Sequence, residues 1–140
     1  MQVKTYLRRV RKLKLEIEAK KRQRESLYYT VIGSAIPIKK DNVQTSRKRD
    51  PQGDTIALMA DLDDAIVESI KELCKMQAEA EELIGSLSKP ECRAIFIDYY
   101  LNAYTWEQVA DMQGYSIDNV FKLHKVGLEE LSDSAQISLQ

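Results

Sequence analysis

At 140 residues the chain is one domain, or one small globular unit with an extended appendage. Its composition, 44% apolar and 31% charged, is ordinary for a soluble protein and favours long exposed helices, and no apolar run approaches the roughly 20 residues of a membrane span. The net charge of −1 conceals a split: residues 1–53 carry 15 Lys/Arg against 5 Asp/Glu, or +10, while residues 54–140 carry 6 against 17, or −11. Such asymmetry points to a polyanion partner or to charge pairing within the fold. Met1-Gln2-Val3-Lys4 leads into a charged helix rather than the apolar core of a signal peptide. Cys74 and Cys92 lie far apart and the chain has one histidine, so no metal site and no cofactor are expected. Reduced thiols in the cytoplasm are the corresponding expectation.

From Val3 to about Ile32 the spacing predicts a long helix. Val3, Tyr6, Val10, Leu13, Ile17, Lys20, Arg24, Leu27 and Val31 alternate steps of three and four, which places them on one seam. Lys20 and Arg24 interrupt it, with stems long enough to lie along the seam while their heads reach water. Lys4, Arg8, Arg9, Arg11, Lys12 and Lys14 occupy the opposite face, either as a solvated surface or as phosphate contacts. Residues 33–53 then lose the periodicity. Gly33, Pro37, Pro51 and Gly53 punctuate a basic loop holding Lys39, Lys40, Arg47, Lys48 and Arg49, which is either a clamp on a DNA backbone or a connector. A second long helix is predicted over 54–87, with Met59, Leu62, Ile66, Ser69, Leu73, Met76, Ala80, Leu83 and Leu87 on its seam. It is acidic where the first is basic, so an antiparallel, coiled-coil-like hairpin (domain 1–87) sets the two flanks against each other. An unpaired outer edge of that hairpin leaves room for a homodimer.

Ser88-Lys89-Pro90-Glu91 has the form of a capping box with proline in the first turn, opening a helix to about Leu101. Cys92, Ile95, Phe96 and Tyr99 share one of its faces. Thr105 and Gln108 form a further capping-box pair at the start of a short helix. A turn at Gly114 follows, where a positive φ is readily adopted by glycine. Ser116 opens the next helix, whose Val120, Leu123 and small Gly127 form a stripe. Val109, Tyr115, Val120 and Leu123 are the expected inner face, and small Ala110 allows a close crossing. Residues 88–131 thus predict a three-helix unit with a helix-turn-helix, whose second helix is offered to the major groove. Trp106 and Tyr104 are expected to pack at the junction, a DNA-backbone contact from the indole N–H being the alternative. Residues 132–140 are expected to be a flexible tail. The fold class expected is therefore all-α: a long helical hairpin followed by a C-terminal helix-turn-helix unit.

The segment from Glu91 to Leu131 resembles region four of bacterial sigma factors. It is closer still to phage-encoded sigma-region-four-like proteins, including the ArpU/RinA-type activators of late transcription. The residues that carry the likeness are Tyr100-Leu101, Thr105-Trp106-Glu107-x-Val109-Ala110, Gly114-Tyr115-Ser116 and Leu123-His124. The resemblance implies a phage protein acting in the host bacterial cytoplasm as a DNA-binding transcription regulator, with double-stranded DNA and RNA polymerase as partners. The helix-turn-helix then presents Thr105, Trp106, Ser116, Ile117, Asp118, Asn119, Phe121, Lys122 and Lys125 to DNA. Lys39, Lys40, Arg47, Lys48 and Arg49 are candidate backbone contacts.

Charge departs from that pattern. Asp118 and Asn119 stand where a recognition helix usually begins with Arg or Lys. Thr105 to Leu131 holds two lysines against five acids, a local −3, and phosphate neutralisation supplies most non-specific affinity. Base reading stays open, with Asn119 suited to adenine and Asp118 to a cytosine amino group. His124 lies next to the inward stripe and is expected to be a hydrogen-bonded interface residue. Two other functions fit the pattern: a protein–protein adaptor that imitates a sigma domain at the polymerase, and a small terminase-like packaging subunit. No nucleophile–base set, phosphate loop or carboxylate pair suggests an enzyme.

Overall fold

The computed structural model describes residues 2–35 and 51–139, and among these every regular element is a helix. They are α1 (Val3–Ala35), α2 (Pro51–Gly85), α3 (Pro90–Phe96), α4 (Trp106–Gln113) and α5 (Ile117–Leu139), with a π-helical turn at Ile97–Leu101 continuing α3. The all-α expectation holds. None of these helices is long and apolar enough to cross a membrane.

Three boundaries differ from those the sequence predicts. Helix α1 runs through Gly33 to Ala35. An interior glycine costs a helix only about 1 kcal/mol, which is too little to end it. Helix α2 begins at Pro51, in the first turn where the missing N–H loses nothing, so Gly53 too is helical. The remainder of the predicted basic loop, with Lys39, Lys40, Arg47, Lys48 and Arg49, lies outside the described residues. Helix α5 extends to Leu139 where a flexible tail from Ser132 was expected, because residues 132–139 contain neither Gly nor Pro to stop it.

The chain divides into two units, Ile17–Ile70 and Met1–Glu16 together with Lys71–Gln140. Residues 1–16 and 71–85 are thus grouped with α3–α5. In the unit Ile17–Ile70, Ile17, Met59 and Ile66 are buried, and Lys20 and Arg24 are half-buried on the seam as predicted. Arg24 donates from Nε and Nη2 to the two carboxylate oxygens of Asp63, at 2.9 and 3.4 Å. An ion pair this exposed is screened by solvent, so it selects the pairing of basic with acidic flank while apolar burial stabilises it.

In the other unit Leu7, Val10, Leu73, Met76, Ala80 and Ile84 are buried, Leu7 and Val10 fully. Tyr6 donates its hydroxyl proton to Glu79 Oε2 at 2.6 Å. Ser88 does not cap α3. Lys89 holds the N-cap position without a side-chain bond, while the Ser88 amide and hydroxyl both donate to the Glu130 carboxylate, at 2.9 and 3.0 Å. The capping-box prediction fails there because a carboxylate on α5 accepts both donors of Ser88 at once. The π-helical turn closes with the Asn102 amide donating to the Ile97 carbonyl at 2.9 Å. A wider turn separates successive side chains by a smaller angle, which lets both Tyr99 and Tyr100 reach the same aromatic cluster. Ala103, at φ 60°, then reverses the chain into α4, at a strain of about 1 kcal/mol.

Candidate nucleic-acid interface

Local chemistry builds the two-helix turn. Thr105 Oγ1 accepts the Gln108 amide at 3.1 Å, and Gln108 Oε1 accepts the Thr105 amide at 2.8 Å, so the predicted capping box is present on both sides. Helix α4 ends at Gly114, in the left-handed region at φ 74°. The Gly114 and Tyr115 amides both donate to the Ala110 carbonyl, which pins the geometry of the turn. Ser116 Oγ then accepts the Asn119 amide at 3.2 Å and starts α5. Val109, Ala110, Val120 and Ile95 form the buried core beneath, with Tyr99, Trp106, Tyr115 and Leu123 packed against it. Asp98 ties the π-helical turn to the end of α4 by accepting from Gln113 Nε2 at 2.8 Å.

The sequence-predicted set divides in two on this frame. Asp118, Asn119, Phe121, Lys122 and Lys125 are exposed on α5, so the predicted outward strip of Asp118, Lys122 and Lys125 faces solvent, with exposed Ser116 at its N-terminal end. Ile117 is half-buried. Thr105 and Ser116 are exposed, but their hydroxyls are engaged in capping. Trp106 packs, as one of the two expectations had it. Its indole stacks on Tyr99 with ring centroids 3.6 Å apart and planes 11° from parallel, and it meets His124 and Phe121 edge-on at 4.7 and 5.5 Å. Tyr104, by contrast, is exposed. It contributes its carbonyl, which accepts from Arg11 Nη2 at 3.1 Å.

Residues near the N-terminus of α1 belong to this site, and spacing alone did not show it. With Trp106 over one face of Tyr99, the other face is left for the Arg11 guanidinium, 4.2 Å from the ring centroid, a cation–π contact of the partly desolvated kind. Arg11 Nε is buried without a hydrogen-bond partner among the described residues. Lys4 and Arg8 stand near the same aromatic cluster and line a cavity with it. Their i,i+4 spacing marks them as one face of a helix, but nothing local says which surface that face meets. The metal expectation concerns other groups: among the described residues no three His, Cys, Asp or Glu side chains cluster as ligands.

His124 is the chain's one histidine. Its Nε2 shares a hydrogen bond of 2.6 Å with the Tyr100 hydroxyl, as expected for an interface histidine. Burial, and then the nearby Lys4 and Arg8 charges, hold its pKa down to about 4 from 6.5. Burial also raises the Tyr100 hydroxyl pKa well above the ordinary phenol value. A depressed histidine pKa means that the unfolded chain binds the proton first as pH falls. Stability contributed by neutral His124 is therefore complete above about pH 6.5 and lost progressively toward pH 4. The loss is expected to reach about 1–2 kcal/mol, less than full burial would give because the ring is half-buried. An imidazole proton titration by NMR measures the folded-state pKa directly. A midpoint near 6.5, or a stability curve for His124→Gln parallel to wild type between pH 4 and 6.5, would overturn the assignment.

A family model described as "Protein of unknown function (DUF1492)" matches residues 31–132. No curated protein and no solved structure matches the chain.

Proposed function

The chain belongs to this family of unknown function, and we propose that it is a DNA-binding transcription regulator whose α5 reads the major groove. The observation that carries this reading is the α4–turn–α5 unit. Its inner face is closed by Val109, Ala110 and Val120, while Asp118, Asn119, Lys122 and Lys125 stand exposed near the start of α5. That is the arrangement in which a second helix enters a major groove by its N-terminal residues. The finer identity, a phage late-gene regulator of the sigma-region-four-like type acting in a bacterial cytoplasm, rests on the motifs from Tyr100 to His124.

Asn119 is assigned to an adenine edge, Asp118 to a cytosine amino group, and Lys122 and Lys125 to bases or flanking phosphates. Thr105 and Trp106 are assigned lesser roles, since capping and stacking already engage them. The positive charge that α5 lacks is assigned to residues 1–53, net +10, or to a second subunit. Tyr28, Tyr29, Ile32, Ile56, Leu58 and Val67 are exposed apolar residues of the unit Ile17–Ile70, and they favour a homodimer.

The test is a gel shift against duplexes from the coding sequence's own genomic neighbourhood, run at two salt concentrations. One fragment is expected to be retained over the others, with affinity falling at the higher salt. Absence of any sequence preference at low salt would overturn the reading. The second reading, an adaptor that contacts RNA polymerase without reading bases, is favoured by the −3 charge of Thr105 to Leu131. It would then take precedence.

A further inference from the structure

A half-open cavity of about 200 Å³ lies within the unit formed by Met1–Glu16 and Lys71–Gln140. Two kinds of side chain line it. Lys4 and Arg8, one helical turn apart on α1, supply cations, and neither forms an ion pair or hydrogen bond among the described residues. Trp106, Phe121, Tyr99 and the Tyr100–His124 pair supply aromatic walls. No acidic side chain stands among these lining residues to neutralise Lys4 and Arg8.

Their positive potential is already felt inside the site, where it helps keep His124 uncharged. Phe121 stays 46% exposed although its ring reaches the edge of Trp106 at 5.5 Å, so apolar ring surface is left uncovered beside unpaired cations. A pocket with apolar aromatic walls and a few convergent charges is the usual form of a small-ligand site. At this volume it suits a single ring with one small charged substituent. A neutral ring would leave the cations unmatched, and a bare anion would leave the aromatic walls wet.

We propose that this cavity binds a small planar aromatic anion, an aryl carboxylate or aryl phosphate. The ring lies against Trp106 and Phe121, and the anionic group lies between Lys4 and Arg8. The site shares Trp106 and Phe121 with the residues presented to DNA, but the proposal does not rest on the DNA reading and is tested without DNA.

Trp106 is the chain's one tryptophan, so its fluorescence reports occupancy directly, and calorimetry supplies an independent measure. Benzoate and phenyl phosphate are titrated into the full chain, with benzyl alcohol and inorganic phosphate as probes lacking the charge or the ring. At least one aryl anion is expected to give a saturable response, and both incomplete probes are expected to bind at least about tenfold more weakly. Which aryl anion binds tighter distinguishes carboxylate from phosphate. The double variant Lys4→Ala/Arg8→Ala, both at exposed positions, is expected to lose about tenfold or more with an unchanged thermal melt. Lys75→Ala, an exposed cation outside the cavity, is expected to behave as wild type. No saturable response to either aryl anion would overturn the proposal. So would inorganic phosphate binding as tightly as phenyl phosphate, or the double variant binding like wild type.

Discussion

Replacing Gly127 with alanine is expected to destabilise the protein by up to about 2 kcal/mol, although alanine is the better helix former by about 1 kcal/mol. A Cβ added at Gly127 would lie 2.5 and 2.7 Å from Cε1 and Cζ of Phe96. Those atoms end a side chain, but one with little freedom. Phe96 is fully buried, and its ring packs 5.5 Å from Tyr100 and 5.2 Å from His124, centroid to centroid. Moving it disturbs the floor on which α4 and α5 rest. Overpacking of a tight core costs about 1–3 kcal/mol, which exceeds the propensity gained. Denaturant unfolding should show a lower midpoint with an unchanged slope. Truncating the neighbour supplies the internal control: in a Phe96→Leu background the same glycine substitution should cost less, with a coupling of about 1 kcal/mol. A variant as stable as wild type, or costs that simply add, would show that the α3–α5 contact is looser than described.

The larger functional effect is expected from charge. Replacing Lys39, Lys40, Arg47, Lys48 and Arg49 together with alanine should weaken binding to all duplexes alike and flatten the salt dependence. If each contacts one phosphate, the slope of log K against log salt falls by about 4.5. Discrimination between fragments should survive, because the residues assigned to base edges remain on α5. The reason is the charge distribution: Thr105 to Leu131 carries −3 while residues 1–53 carry +10. Gel shifts across a salt series compare the two slopes. Unchanged affinity and slope would make the segment a connector only, and the phosphate grip would have to come from elsewhere in the chain.

Much of the fold was legible because it depends on short-range chemistry. The capping pair Thr105–Gln108 and the glycine at 114 act over a few residues, and both appear where spacing placed them. The same holds for the long seams, since a step of three or four determines a helical face whatever that face meets. Val10, Ile17, Ile66, Leu73 and Met76 are buried accordingly. Ser88 shows the limit of such reasoning. Its local pattern matched a capping box, yet Glu130, 42 positions away, accepts its hydroxyl and amide instead. Leu7 was also absent from the expected seam, although it is fully buried.

What the sequence determined by itself is therefore the set of helices, the turn between α4 and α5, and the outward strip of Asp118, Lys122 and Lys125. Tertiary structure decided the surroundings of that motif. It brought Arg11 onto Tyr99, set Lys4 and Arg8 beside Trp106 and Phe121, and joined half-buried His124 to Tyr100 by a hydrogen bond. The physical reason lies in the range of the forces. Caps and helical periodicity depend on neighbours a turn away. A cation–π contact or a depressed histidine pKa depends on which distant groups share a low-dielectric site, and no spacing along one segment encodes that.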